Sequence, residues 1–562
     1  MASSSRYSKP YLLGIDVGTT HIKAVVFDEA GVEAARCSTD TPSLPGNGSG
    51  HVVWDPEAIW EAVASVTRRA LKTLGSEAQE MARSGEAQPR PPQDPSCRTS
   101  SSGVRPEIVG VAVASVGESG VPLDREGRPL YPIIAWFDPR TAPQAAWWAR
   151  EIGQERTRAI TGLSVKSIYS ALKILWLFEN VSGLREAIDA WLPVSSYVAY
   201  RLTGGTGGVG SAAGATGRPA DRERVRPSDY LVDFSQASRT LLFDQTKLDW
   251  SCDLAEAAGI PARILPRAVP SGTPAGYVSR ETALATGLPA GVPVFMGGHD
   301  HVCGALAVGA TRPGILLDSC GTAESILTSC PDASVLRTVC GNGFSLGHHV
   351  VEGMRYAMGG LLASGGAVEW FMREFLEPEP GASYERLTEL ARRSEPGAGG
   401  VVFVPRLLGS GPPTRDERAT GAFARLRPGA TRADFARSVF EGLSFELRTA
   451  IKAMEAALGT PVSSVVATGG GVRNDLWLAI KASVLGMPIE VPEVTEAAAL
   501  GAALLAGIGC GMYRDVGDAL ARTLRIARRA EPDESLRELY EDAYSIYCSV
   551  SDALHRVDAA LR

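Results

Sequence analysis

From Tyr11 onward, short apolar runs alternate with glycine-containing turns: YLLGID, VGTT, HIKAVVFD, EAG and VEAARCS. β-prone runs broken in this way predict an antiparallel meander of three strands. Ile59, Val63, Val66 and Leu71 then recur at helical spacing within residues 56–74. Residues 75–106, rich in Ser, Pro, Arg, Gln and Glu, abandon that period and read as a disordered surface insertion. An apolar strand, IVGVAVAS, resumes at Ile108, residues 141–202 carry a helical pattern, and a second polar insertion covers 204–227.

The strand–glycine turn–strand layout returns in the second half, which VPVFMGGHDH opens and GILLDSC, GTA and ESILTSC continue. Residue by residue the likeness of IDVGTT at Ile15 to LDSCGT at Leu317 is slight. The shared layout nonetheless points to two related domains, 1–290 and 291–562, each offering a glycine turn to one cleft. The most patterned segment runs SVVATGGGVRNDLWLAIKASVLGMPIEVPEVTEAAALGAALLAGIG. It predicts a strand at 465–468, a three-glycine turn, a helix at 474–485, a short strand at 489–491 and a helix at 496–506. No repeat of solenoid or propeller length is present.

Composition narrows the function classes. A chain of 562 residues exceeds what one core supports. Its 44% hydrophobic and 21% charged residues are those of a soluble globular protein. A net charge of −7 without a basic tract argues against nucleic-acid binding. The nine cysteines are scattered with no CxxC pair, which fits reduced thiols of a cytosolic protein rather than disulfides or zinc. MASSSRYSKP lacks the apolar core of a signal peptide, and no apolar run is long enough to span a bilayer. The expectation is a soluble cytoplasmic protein.

Three constellations carry chemistry. Asp16-Val17-Gly18-Thr19-Thr20 places a carboxylate at a strand end and a glycine turn where backbone N–H groups and two hydroxyls can meet an anion. The carboxylate can hold Mg²⁺ through water; the bland alternative is an ordinary hairpin, and the Walker A spacing is absent. In Gly297-Gly298-His299-Asp300-His301, Asp300 follows two glycines at the end of an apolar strand, where it can accept a proton from a hydroxyl or simply cap the helix that follows. Gly469-Gly470-Gly471 removes the Cβ atoms that would block a flat ligand, and Asn474 is placed either to bond that ligand or to cap a helix.

The order LLGIDVGTTHIKAVVFD, AWFDPRT, GGHDH, LLDSCGT, then TGGG with PEVTEAAALGAALLA, over residues 11–546, resembles the FGGY family of carbohydrate kinases. The resemblance implies an α/β protein of two actin-like ATPase (ribonuclease H-like) domains with an inter-domain cleft. It implies ATP-dependent phosphorylation of a small sugar or polyol, a ketopentose-like acceptor being favoured, with ATP and Mg²⁺ as cofactors; a catalytically silent sensor on the same fold is the alternative. By this likeness Asp16 lies near the metal, Gly18, Thr19 and Thr20 form the first phosphate turn, Gly321 and Thr322 the second, and Gly469, Gly470, Gly471 and Asn474 the adenosine segment. Asp300 matches the catalytic base. Glu118, Trp136, Asp138, Tyr169 and His301 match acceptor-side positions, with Arg140 in the turn beside Asp138. The family allows a homodimer and implies no nucleic-acid or membrane partner. This sequence departs from the pattern at GSGPP, where a Gly-Glu-Arg-x-Pro stretch is usual, at His301, and in its two polar insertions.

Overall fold

The computed structural model describes residues 9–83, 106–205, 230–331, 334–376 and 383–561. Two mixed sheets dominate it. The first uses β1 (Lys9–Val17), β2 (His21–Asp28), β3 (Glu33–Asp40), β4 (Pro106–Ser115), β5 (Pro274–Tyr277) and β6 (Pro293–His299), in the order β5-β6-β4-β1-β2-β3. The second uses β7 (Ile315–Cys320), β8 (Glu324–Cys330), β9 (Ser345–His348), β10 (Arg355–Leu361), β11 (Ser464–Thr468), β12 (Ile489–Pro492) and β13 (Ile526–Ala530), in the order β9-β10-β8-β7-β11-β12-β13.

The predicted meander forms: β1 pairs antiparallel with β2, Ile15 opposite Ala24, and β2 with β3. β4 and β6 then add in parallel, and β5 closes that edge antiparallel. The second sheet repeats the plan. β7, β8 and β10 form an antiparallel meander, β11 and β12 add in parallel, and β13 closes antiparallel. Two lobes of one architecture result, as the repeated glycine turns had indicated.

Strand alternation assigns the cores. Leu13, Ile15 and Val17 face α1 (Pro56–Arg83), which contributes Ile59, Val63 and Val66. Leu12, on the other face, meets a layer made by α4 (Asp300–Ala307) and α8 (Ala497–Gly509), which also touches Leu317, Leu327 and Val466 of the second sheet. On the far side, Leu316, Ile326 and Val465 pack on α6 (Arg432–Leu458) and α7 (Asp475–Leu485). Between α1 and α4 lie α2 (Ser170–Asn180) and α3 (Val194–Leu202), and α5 (Gly365–Phe371) follows β10. Caps set the limits of α6: Thr431 and Asp434 form a reciprocal capping box, and Gly459, at φ +66°, ends the helix.

Two expectations are corrected. The helix from Pro56 does not stop near Leu74 but runs to Arg83, so residues 75–83 are not part of an insertion. A single interior glycine, Gly75, weakens a helix without ending it, and Glu77, Ala78, Gln79, Glu80, Met81 and Ala82 are good helix formers. The rest of that stretch, 84–105, and residues 206–229 lie outside the described residues. The boundary at 290/291 also moves. β6 pairs in parallel with β4 inside the first sheet, so the chain crosses to the second lobe after Asp300, through α4.

The α4–α8 layer is packed at backbone distance. A Cβ on Gly501 would stand 1.9 Å from the carbonyl oxygen of Cys303, and one on Gly14 would stand 1.9 Å from that of Ala499. Gly501→Ala is therefore expected to lower stability by about 1–3 kcal/mol through overpacking, read as a lower midpoint in urea or thermal unfolding.

Candidate active site in the cleft between the lobes

The strand ends of both sheets converge on a cavity of about 190 Å³ lined by Asp16, Asp300, His301, Gly304, Leu317, Ser319, Thr468, Ala497 and Ala498. Asp16 comes from the penultimate position of β1, and Asp300 from the first residue of α4 after β6. Ser319 and Thr468 come from the ends of β7 and β11 in the other lobe. The predicted metal-side carboxylate and the predicted base thus share one cavity.

Both carboxylates are costly to ionise. Burial, reinforced by the charge of Asp300, pushes Asp16 up to about 7. Burial likewise lifts Asp300 to about 7, although it accepts a hydrogen bond from the His301 backbone N–H at 2.6 Å. The Asp300 side chain keeps 21% of its surface exposed, so it remains reachable. Asp16 Oδ1 is shielded and has no hydrogen-bond partner. An orphaned carboxylate oxygen beside a second carboxylate suits a hard, hydrated divalent cation such as Mg²⁺, which completes its shell with water and phosphate oxygens. Lys23, on β2, and Glu496 form an ion pair at 2.6 Å close enough to influence Asp16.

The glycine turns follow the strand ends that line the cavity. Gly18, Thr19 and Thr20 link β1 to β2, closed by Gly18 N–H donating to the His21 carbonyl at 3.0 Å. Gly321 and Thr322 are exposed in the β7–β8 turn. Gly469 adopts φ +91°, and a Cβ there would meet the Cys320 carbonyl at 2.5 Å, so the triglycine turn lies directly against the end of β7. Gly470 has open space around it. Asn474 acts as a cap: its Oδ1 accepts from Trp477 N–H at 3.1 Å while its Nδ2 donates to Thr388 Oγ1 at 2.9 Å.

The residues predicted for the acceptor divide. Trp136 donates from Nε1 to Thr19 Oγ1 at 2.9 Å, tying its ring to the Gly18–Thr20 turn. Glu118 sits at φ +64°, an uncommon conformation for a non-glycine residue, and receives Arg239 Nε at 2.7 Å and Nη2 at 2.5 Å. Tyr169 is fully buried beneath the Arg239 guanidinium, 5.4 Å from its ring centroid. His301 is exposed and stacks on His299 at 5.7 Å between centroids.

Asp138 departs from its expected role. Its carboxylate takes Arg140 Nε and Nη2 at 2.8 and 2.7 Å, the Arg140 N–H at 3.0 Å and the Val52 N–H at 2.7 Å. With every oxygen engaged, it braces the turn that carries Trp136 and offers no free acceptor. Arg140 and Asp138 form that brace together, with side chains 3% and 0% exposed.

The sequence reading missed Arg239, for which SQASRT carries no signal, and the Ser364-Gly365-Gly366 corner. A Ser-Gly-Gly ahead of a helical stretch in LLASGGAVEW was a usable sign. There the N–H groups of Gly365 and Gly366 donate to the carbonyls of Gly321 and Thr322 at 3.0 and 2.9 Å.

Two matched actin-like lobes with opposed glycine turns and paired carboxylates define a small-molecule phosphotransferase. The FGGY family of carbohydrate kinases matches with its N-terminal domain over residues 11–86 and 97–307 and with its C-terminal domain over 318–510, and the chain belongs to that family. It is 31% identical over 533 residues to a glycerol kinase of Citrifermentans bemidjiense, covering 93% of this chain and 94% of that protein. The solved xylulose kinase of Rhodospirillum rubrum superposes with a TM-score of 0.81 at 26% identity, covering 98% of this chain and all of that one. The fold is shared with Plasmodium falciparum glycerol kinase solved with ADP, TM-score 0.80 at 19% identity over 98% of this chain and 99% of that one. The protein is a carbohydrate kinase, a phosphotransferase with an alcohol acceptor.

Replacing Asp138 by Ala strands the buried Arg140 guanidinium. The expected loss is about 3–5 kcal/mol, as for breaking one side of a buried ion pair, measured as a fall in the urea midpoint.

Proposed function

We propose that the chain transfers the terminal phosphoryl group of ATP to a hydroxyl of a small sugar or polyol, with Asp300 as the base. The observation that carries this reading is the meeting of Asp16 and Asp300 from one lobe with Ser319 and Thr468 from the other around a single cavity. A sensor needs no ionisable pair held at that point against the desolvation cost of burial.

Asp300 orients the acceptor hydroxyl and takes its proton as the oxygen attacks in line. Burial raises its basicity towards the range where it can both lose and gain a proton near neutrality. Backbone N–H groups of Thr19, Thr20 and Thr322 offset charge on the phosphate oxygens, while the triglycine turn leaves a flat surface for the nucleoside. Mg²⁺ bound near Asp16 would supply charge neutralisation of the phosphates. Closure of the lobes around the acceptor keeps water from the phosphoryl group.

On the acceptor side Trp136 covers a C–H face, and Glu118 with Arg239 and His301 presents hydrogen-bonding groups to hydroxyls. A ketopentose or a short polyol fits this combination, in keeping with the xylulose and glycerol kinases among its relatives. No described helix is long and apolar enough to cross a membrane, and we place the reaction in the cytoplasm. A homodimer is the assembly that the family likeness supports.

The test is coupled ADP production across a panel of ketoses, aldoses and polyols. Acceptor-dependent ADP release is expected, and ligand binding without it would establish the sensor instead. Asp300→Asn is expected to lower kcat by about 10²-fold or more while leaving ADP affinity near its original value; near-normal turnover would remove Asp300 from the role of base. The base works only when ionised, and Asp300 titrates at about 7. The pH profile of kcat/KM should therefore fall on the acid side with a midpoint near that value, and this limb should vanish from the residual activity of Asp300→Asn.

A further inference from the structure

Behind the turns of the second lobe lies an ion triad to which the site reading above gives no role. Lys481, on α7, donates from Nζ to Asp318 Oδ2 of β7 at 2.7 Å and to Glu324 Oε1 of β8 at 2.8 Å. All three side chains are at most 4% exposed. Glu324 Oε2 accepts from Ser364 Oγ at 2.5 Å, with the Cys320 thiol 3.9 Å away.

Together with Ser364, the triad connects three glycine-lined elements. Asp318 and Glu324 sit on the two strands that the Gly321–Thr322 turn joins. Ser364 opens the corner whose N–H groups bond that turn, including its own to the Thr322 carbonyl at 3.1 Å. Lys481 lies on the helix that Asn474 caps directly after the triglycine turn, and its Nζ is 4.9 Å over the ring of Trp477, the residue whose N–H the cap receives.

Stability alone does not call for such a cluster, because apolar residues of equal volume replace buried ion pairs without loss in many proteins. Geometry is what the triad adds: two charge-assisted hydrogen bonds fix Lys481 against both strands. Burial and the neighbouring Glu324 push Asp318 upward. Burial opposes ionisation of Glu324 too, but the Lys481 charge and the hydrogen bonds it receives outweigh that and hold it below the usual carboxylate range.

We propose that Lys481, Glu324 and Asp318 are positioning residues of the nucleotide site, holding the Gly321–Thr322 turn, the triglycine turn and the Ser364–Gly366 corner in the arrangement that receives a nucleoside di- or triphosphate. The assignment rests on the nucleotide reading of those turns given above. It gives the triad no part in acceptor recognition, since Glu118, Trp136 and His301 come from the other lobe.

The test measures ADP affinity of the full chain by calorimetry with Mg²⁺ present, alongside KM for ATP and for the acceptor found in the panel. Lys481→Met and Glu324→Gln are expected to weaken ADP binding and raise KM for ATP by about tenfold or more, with acceptor KM within about twofold of the original. A purely structural role would lower the unfolding midpoint and the active fraction but leave both KM values in place. Should Lys481→Met not fold, Ser364→Ala removes the hydrogen bond to Glu324 and a weaker one shared with Cys320 Sγ, and must shift ADP affinity in the same direction. Unchanged ADP affinity in the folded variants, or equal rises in both KM values, overturns the proposal. A native chain that binds no ADP refutes the nucleotide reading itself.

Discussion

Everything in the cleft depends on how closely α4 and α8 are pressed between the two sheets. A sheet buries one face against helices and must do so at about 10 Å, and here two sheets share the same helical layer. The approach is closer than ordinary side chains allow: Gly501 meets the backbone of α4, and Gly14 meets that of α8. Because α4 begins at Asp300, the packing of this layer decides where that carboxylate stands relative to Asp16 at the end of β1. Chemistry and packing are therefore set by one contact surface.

The duplicated sheet plan explains why the cavity has two walls of similar construction. In each lobe a glycine turn joins the first two strands of an antiparallel meander, and the parallel strands beside it point their C-terminal ends to the same side. Ligands in such sheets collect outside those strand ends. The lobes then differ in what they bring. The first contributes carboxylates, Asp16 and Asp300; the second contributes glycines, of which Gly469 and Gly365 let backbone segments meet at distances a Cβ would block and Gly470 has open space around it. Charge stands on one side of the cavity and close backbone packing on the other.

Much of this was legible in the chain. The three-strand meander, β4, and the strand–turn–helix segment from Ser464 follow local patterns, because alternating apolar residues and glycine turns act within a few positions. Asp16, Asp300 and the triglycine turn stood out because each joined a strand end to glycines. The boundary at 290/291 failed because β6 looks the same from sequence whichever sheet it joins; only its pairing with β4 decides. The helix past Leu74 was missed because Gly75 and the polar run after it resemble a linker. Arg239, Lys481 and Ser364 were invisible for a different reason: each acts through partners more than 35 positions away, and no local period encodes that.

Asp138 and Glu118 show how an acidic residue at a matching position can serve opposite ends. Both lie on the acceptor side and both are engaged by arginine. Asp138 has Arg140 two residues away and backbone donors on its other lone pairs, so its carboxylate is saturated by the turn it stabilises. Glu118 is held by an arginine 121 positions distant, through Oε1 alone. Its backbone sits at φ +64°, and its charge is felt by Asp300 and His301. Strain of this kind persists where surrounding structure over-determines it, and such positions gather at functional sites. A hydroxyl meeting Glu118 finds an acceptor with capacity to spare, while one meeting Asp138 finds none. Asp138 thus acts at one remove, by keeping Trp136 and, through it, Thr19 in place.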